Sequence, residues 1–249
     1  MNKENVLFSI VGVLVGFIVG FVFANTANRA GLAPQGAGAA AARQQVEGLP
    51  PGHPEVDPAQ VRPKVDEAAL GAAVKLAEEQ RDNFAAQTNA AGLSAQAGRY
   101  DDAVKFYTRA NKAKPEDYET LVSLGNTLFD AEKLEEAEKW YAAALAKNPK
   151  DVNVRTDLGL TFLLREQPQY ERAVAEFKRS LEVEPAHTQT LQNLTVAYTR
   201  KGDLAAAEAT LAKLKAAAPQ SPALEQLRSG IDKARSSAPA ETSAVKAGE

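Results

Sequence analysis

Residues 118–151 read YETLVSLGNTLFDAEKLEEAEKWYAAALAKNPKD, and the same order of residue types recurs in residues 152–187 and 188–221. A looser copy occupies residues 84–117, and the prolines near the ends of the four copies are 34, 36 and 34 residues apart. A period of this length is typical of helical-repeat solenoids, which favours a binding surface over catalysis. The prolines are Pro115, Pro149, Pro185 and Pro219, and an alanine precedes each at Ala103, Ala137, Ala173 and Ala207.

Each copy divides into two apolar-patterned segments joined by a turn, which predicts a pair of helices. The first helix carries a leucine–glycine pair, as in Leu124-Gly125 and Leu158-Gly159. Small residues at these positions and at the alanines allow two helices to cross closely, and bulky side chains fill the groove beside them. The proline then ends the second helix. The bulky residues that follow the alanines are Tyr107, Tyr141, Phe177 and Leu211.

These positions resemble the helix–turn–helix pattern of the tetratricopeptide repeat (TPR) family. The first unit departs from it, with Ala90-Ala91 in place of the leucine–glycine pair and polar Ser94 where a large residue is usual. The third unit has two extra residues, which REQPQYE (residues 165–171) places in the turn between its helices. The resemblance implies an all-α fold, a right-handed α-solenoid of four hairpins with helical caps.

Helical segments are expected on both sides of the repeats. Residues 63–83 predict an N-terminal capping helix or an extension of the first repeat helix, because Pro63 suits a helix start and Asp66 and Glu67 suit its first turn. Residues 222–235 predict a C-terminal capping helix, with Leu224, Leu227 and Ile231 on one face. The tail, residues 236–249, is expected to be disordered.

The beginning of the chain differs in kind from the repeats. After a five-residue head (1–5), residues 6–24 read VLFSIVGVLVGFIVGFVFA, nineteen residues without a charge. Such a run is long enough for a membrane-spanning helix, and a cleaved signal peptide is the alternative. Gly12, Gly16, Gly20 and Ala24 recur every four residues, a stripe that would suit self-association or pairing with another membrane helix.

Residues 25–62 are rich in alanine, glycine and proline, which predicts a flexible tether between the span and the repeats. The short head before the span favours a cytoplasmic N-terminus. The chain is then expected to be a single-pass membrane protein with its repeats outside the cytoplasm, in the periplasm if the source is bacterial.

The resemblance implies where a partner binds. In TPR proteins the first helices line a concave groove that takes extended or helical peptides, and amide side chains there can bond a peptide backbone as donors and acceptors. The alternative for each residue is an ordinary solvated helix face. The groove candidates at matching positions are Val122, Asn126, Phe129, Asn153, Asp157, Leu160, Gln189, Gln192, Asn193, Val196 and Arg200.

One specialisation of the family is not expected in this chain. Chaperone-binding TPR proteins hold an acidic C-terminal tail with lysines and asparagines, whereas Val122 and Gln189 stand where lysines would be needed. Asp157 would also repel a carboxylate. A partner of apolar and neutral polar character is therefore expected.

Composition argues against other classes of function. The net charge is −3, which does not favour nucleic acid as a partner. The chain has no cysteine and only two histidines, His53 and His187, so no metal site is expected. Neither a phosphate-binding glycine loop nor a nucleophile motif occurs, so no cofactor and no enzymatic activity are expected.

The sequence therefore predicts a membrane-anchored scaffold or adaptor that binds a protein or peptide in its groove, in the assembly of an envelope complex. Two alternatives stay open. The layout of one span and a TPR body resembles chaperone-like subunits of bacterial cytochrome c maturation, and the solenoid could serve as a structural spacer in a secretion, pilus or cell-wall machine.

Overall fold

The computed structural model describes residues 65–237, which are helical throughout apart from their connections and contain no strand. Four antiparallel helical hairpins, α2–α3, α4–α5, α6–α7 and α8–α9, stack in chain order between two single helices. The helices are α1 (Glu67–Glu79), α2 (Phe84–Gln96), α3 (Tyr100–Ala113), α4 (Tyr118–Asp130), α5 (Leu134–Lys147), α6 (Val152–Leu163), α7 (Tyr170–Val183), α8 (Thr188–Lys201), α9 (Leu204–Ala217) and α10 (Ala223–Ser237). This solenoid confirms the predicted fold class.

The first helix of each hairpin begins at a side-chain cap. The carboxylates of Asp117 and Asp151 accept the N–H of the residue three positions later, each at 2.9 Å, and Asn83 does the same at 3.2 Å. The fourth cap is His187, whose Nδ1 accepts the N–H of Thr190 at 3.4 Å. Caps at one phase of the repeat satisfy the free N–H groups at the start of each first helix.

We predict that His187→Asp stabilises the fold by about 1 kcal/mol, because aspartate is a stronger cap and its charge favours a helix N-terminus. Asp117 shows the expected geometry, since its carboxylate accepts both the N–H and the hydroxyl of Thr120, at 2.9 and 2.6 Å. Thr190 follows His187 at the same spacing. Urea unfolding checks the change, and Asp117→His is the reciprocal control that should lose a similar amount.

The two helices of the middle hairpins touch at a glycine beneath an aromatic ring. A Cβ atom placed on Gly125 would lie 2.6 Å from two ring carbons of Tyr141, and one on Gly159 would lie 2.5 Å from Cε1 of Phe177. Both rings are fully buried. The leucine–glycine pairs of the sequence therefore mark the crossing points of the helices, where no larger residue fits.

The core has two parts. One buried apolar cluster runs continuously from Leu121 of the second hairpin to Ile231 of α10. The second, at the N-terminal end, consists of five alanines and Phe106. Ser94, at the position where later units place large apolar residues, is fully buried there, and its hydroxyl has no hydrogen-bond partner among residues 65–237. The N-terminal unit is therefore held by a smaller apolar core than its successors.

A ladder of ion pairs shows that α1 occupies the place of a second helix. Lys133, in the turn of one hairpin, pairs with Asp101 at the start of the preceding second helix at 2.8 Å, and Arg99 pairs with Glu67 of α1 in the same way at 2.9 Å. These exposed pairs contribute little stability, but their register is informative. The ladder continues with Arg165 to Glu135 at 3.4 Å and Lys201 to Glu171 at 3.5 Å.

Residues 80–83, between α1 and α2, are not helical, so α1 is a separate helix and does not extend the first repeat helix. Glu78 joins it to the first hairpin by ion pairs to Lys105 at 2.6 Å and Arg109 at 2.9 Å. These hydrogen bonds, and the positive charges behind them, lower the pKa of Glu78 to about 2. The described part of the solenoid therefore begins with a single helix, α1, which takes the place of the second helix of a repeat.

The longest connection within a hairpin joins α6 to α7 and comprises residues 164–169. The connection between α4 and α5 is shorter and comprises only residues 131–133. In the longer connection, Arg165 pairs with Glu138 of the preceding hairpin, and its guanidinium lies 5.1 Å from the ring centroid of Phe162. Arg172 contacts the same carboxylate at 2.6 Å and the same ring at 3.9 Å. The two extra residues therefore lie in the turn, which is anchored to the neighbouring unit.

The C-terminal helix α10 runs to Ser237, two residues beyond the predicted cap, with Ile231 as its buried residue. No helix within residues 65–237 is both long and apolar enough to cross a membrane. The predicted span, its glycine stripe and the tether lie outside the described residues, as does most of the predicted tail.

Candidate functional site

The first helices α4, α6 and α8 carry the eleven predicted groove residues, and neighbouring first helices approach one another directly. The Oγ1 atoms of Thr156 in α6 and Thr190 in α8 are 2.6 Å apart, and both side chains are fully buried. Thr156 also donates to the carbonyl of Val152 at 2.7 Å. A hydrogen bond between two small hydroxyl side chains therefore lies in the contact between these adjacent first helices.

The structure divides the predicted groove residues by accessibility. Asn153 and Arg200 are exposed, whereas Phe129, Asp157 and Leu160 are buried and present almost no surface to a partner. Phe129 and Leu160 belong to the continuous core, which explains their burial. The half-buried residues, which border the surface of the first helices, are Val122, Asn126, Gln189, Gln192, Asn193 and Val196.

Two tyrosines of second helices, Tyr107 of α3 and Tyr141 of α5, make polar contacts with residues of the first helices. The hydroxyl of Tyr107 interacts with Ser123 of the next hairpin. That of Tyr141 donates to Asn126 of its own hairpin at 2.8 Å, and Asp157 of the next hairpin acts on it electrostatically. Burial raises the pKa of both tyrosines, so both hydroxyls stay neutral donors. A row of polar contacts therefore lies under the first helices.

Ser123, Asp157 and Asn193 share one position of the repeat, sixteen residues after Tyr107, Tyr141 and Phe177 of the preceding second helices. Phe177, unlike the two tyrosines, has no hydroxyl. The Nδ2 atom of Asn193 is buried and has no hydrogen-bond partner among the described residues. An unused donor therefore lies at the edge of the candidate groove.

Asp157 is the one buried carboxyl in this row, with 4% of its surface exposed. Burial raises its pKa from 3.8 to about 7, and the carboxylates of Asp151 and Asp130 add to the rise. Both neighbouring charges that act on it are therefore of its own sign. Because the repeat position is filled by serine and asparagine elsewhere, the backbone does not require a carboxyl there.

The sequence alone did not identify Ser123, Tyr107 and Tyr141 as parts of this surface. The repeat pattern assigns both tyrosines to the groove between the helices of a hairpin, and it does not indicate a role for their hydroxyls. The signal that could have found them is the constant sixteen-residue separation of Tyr107 from Ser123 and of Tyr141 from Asp157.

No group of three or more acidic or histidine side chains within residues 65–237 is arranged to hold a metal ion.

Solved structures share this architecture at low sequence identity. A crystal structure of YrrB, described as a TPR protein with an unusual peptide-binding site, is 21% identical, with 66% of this chain and 83% of YrrB covered and a TM-score of 0.58. PilW, described as a type IV pilus biogenesis factor, is 22% identical over 68% of this chain and 77% of its own, with a TM-score of 0.57. A tetratricopeptide repeat protein from Parabacteroides merdae is 20% identical over 69% of each chain, with a TM-score of 0.60.

No curated protein sequence matches the chain. The model of the tetratricopeptide repeat family matches residues 94–156 and 164–231, which together make up more than half of the sequence. The gap between the two matched segments, residues 157–163, lies in the second half of α6. With its stacked hairpins, helix-crossing glycines and repeated caps, the chain belongs to the tetratricopeptide repeat family.

Proposed function

We propose that this protein is an adaptor that binds a segment of a protein partner along the surface of its first helices. The observation that carries the proposal is the row of half-buried amides at Asn126, Gln189, Gln192 and Asn193. Amide side chains at the border of an apolar surface can pair with a peptide backbone while Val122 and Val196 contact its side chains. YrrB, a TPR protein described as having a peptide-binding site, shares the fold and supports the proposal.

We also propose that residues 6–24 hold the adaptor in a membrane, with the repeats outside the cytoplasm, where it serves the assembly of an envelope complex. Tethering raises the local concentration of groove and partner. The stripe of Gly12, Gly16, Gly20 and Ala24 would then allow two spans to pair. The fold shared with PilW, a pilus biogenesis factor, is compatible with such a role.

The groove is tested by crosslinking in intact membranes. A photoreactive amino acid at Val122 should crosslink one defined partner, and one at exposed Lys139 of α5 should not. The Gln192→Ala, Asn193→Ala double variant should lose the crosslink by about tenfold, because it removes two amides from the surface. This pair is preferable to Asn126→Ala, which would leave the buried hydroxyl of Tyr141 without its acceptor.

Circular dichroism of the double variant should show native helicity and an unchanged unfolding midpoint, since the Asn193 Nδ2 atom has no partner to lose. The proposal fails if the double variant keeps the crosslink, or if the Lys139 position captures the same partner equally well.

A further inference from the structure

Helix α1 takes the place of a second helix, but no first helix within residues 65–237 pairs with it. In the ladder of ion pairs Glu67 corresponds to Asp101, which puts α1 in register with α3. The side of α1 that carries Leu70, Ala73 and Ala77 is buried, and α1 packs on α2. A first helix would cover a second side of α1, as it does in each complete hairpin.

Two positions of α1 show which side lacks a neighbour. The equivalents of Ala69 are Ala103, Ala137, Ala173 and Ala207, and those of Leu76 are Ala110, Ala144, Ser180 and Leu214, all fully buried. In α1, by contrast, Ala69 is exposed and so is 41% of Leu76. Ala72 lies between them on the same side and is exposed as well. We call the side formed by Ala69, Ala72 and Leu76 the open side of α1.

The stretch of chain before α1 does not suit the missing helix. One repeat before α2, a first helix would occupy residues 50–62, which include Pro50, Pro51, Pro54 and Pro58. Proline inside a helix removes a backbone hydrogen bond and clashes with the preceding turn. A helix that covers the open side is therefore expected to come from elsewhere.

The C-terminal end of the solenoid has a polar outer face. Helix α10 packs on α8 and α9 in the place of a first helix. Where first helices contact their own second helix, α10 carries Arg228, Ser229 and Asp232, all exposed, whereas the equivalent residues of α4 are buried. A polar outer face suits a terminal helix. A head-to-tail contact between two copies would place these polar groups against Leu76, so it does not match the open side.

The open side of a second copy does match. In an antiparallel pair of α1 helices related by a two-fold axis, Ala69 of each copy lies opposite Ala72 of the other, and Leu76 lies opposite the half-buried Val65. Alanines at the centre let the two helices approach closely, as small residues do within each hairpin. Each copy then supplies apolar surface to the side that the other leaves exposed.

Charge does not oppose this pairing. Lys75 and Glu79, beside the open side, form an ion pair within α1 at 3.9 Å, so two copies bring no net charge together there. The contact is one helix wide and small for a stable interface. Two copies held in one membrane through residues 6–24 would meet at a raised local concentration, and this part of the argument rests on the proposed function.

We propose that the protein forms a dimer through the open sides of two antiparallel α1 helices. Each copy provides the helix that the other lacks at the N-terminal end of its described repeats. The groove candidates on α4, α6 and α8 take no part in the contact, so the dimer presents two grooves to a partner.

The test is disulfide crosslinking, since the chain has no cysteine of its own. Full-length protein with Ala72→Cys is oxidised in intact cells, and most of it should migrate as a disulfide-linked dimer. The matched control is Gly71→Cys, which is also exposed on α1 and has no atom within 4 Å of its Cβ position. Gly71 lies about 100° around the helix from Ala72, so it should give at most about a tenth of the dimer.

A second change tests the apolar contact itself. Leu76→Lys, introduced into the Ala72→Cys protein, should lower the yield of dimer about tenfold, because it places an ammonium group from each copy in the contact. Circular dichroism should show native helicity, since Leu76 is partly exposed in a single copy. Fractionation of the same cells reports separately whether the protein is in the membrane.

Equal crosslinking of Ala72→Cys and Gly71→Cys overturns the inference, because it would mean that the copies only collide, for example through paired spans. So does a monomer at Ala72→Cys, a crosslink of that cysteine to a different protein instead, or a dimer that Leu76→Lys leaves unchanged. The crosslink from Val122 to a partner does not involve α1, so the proposed adaptor function stands or fails separately.

Discussion

Gly159→Thr should destabilise the protein by about 3 kcal/mol, the upper range for overpacking a buried contact. A Cβ atom at this position would lie within 2.7 Å of two carbons of the Phe177 ring, which is fully buried and has no space to retreat. Either the two helices of the third hairpin must separate or the ring must leave its rotamer. Urea unfolding followed by circular dichroism measures the loss.

The fourth hairpin supplies the compensating change. In that hairpin Thr195 occupies the position of Gly159, and Leu211 occupies the position of Phe177. A residue larger than glycine on the first helix is therefore matched by a side chain smaller than phenylalanine on the second. Gly159→Thr combined with Phe177→Leu should therefore recover at least about 1 kcal/mol relative to the sum of the single changes. Strict additivity of the two changes would contradict this account of the helix crossing.

Gly230→Thr is the matched control for the glycine. A Cβ atom on Gly230 of α10 would meet no atom within 4 Å. The change should then alter stability by less than about 0.5 kcal/mol, since only helix propensity differs. A large loss at Gly230 would mean that glycine matters through the backbone and not through the ring contact.

The hairpins were predictable because their determinants are local and repeated. Leu158-Gly159 and Pro185 each have one structural role, and the period places them at the crossing and at the end of a helix. The sequence left open whether α1 is separate from α2, because residues 80–83 contain neither glycine nor proline. The cause of the separation is the cap at Asn83, which the sequence reveals only when aligned with Asp117.

The candidate site was predictable in outline only. A polar residue on a first helix suggests the groove, and for Asn193 this agrees with its half-buried position. The repeat also assigns Asp157 and Leu160 to the groove by their positions, but the close approach of neighbouring helices buries both. Accessibility there depends on the stacking angle and on side chains from adjacent hairpins, which the periodicity of a single helix does not contain.

Asp157→Asn should stabilise the protein, and the gain should grow with pH. The native carboxyl has a pKa of about 7 against 3.8 for an ordinary aspartate, so the folded state holds its proton more tightly than the unfolded state. A raised carboxyl pKa favours folding only while the group is protonated. The native protein therefore loses stability as the pH rises from about 4 through 7, and asparagine does not titrate.

Between about pH 5 and pH 8 the advantage of Asp157→Asn should increase by about 2 kcal/mol, allowing for relaxation of the site around the ionised carboxyl. Unfolding in urea at several pH values measures it, with Glu182→Gln as an exposed control that should give a flat difference. An advantage that stays constant with pH would show that the carboxyl is neutralised within the fold. A growing advantage would mean that the protein retains, among its first helices, a charge that a neutral residue could replace with a gain in stability.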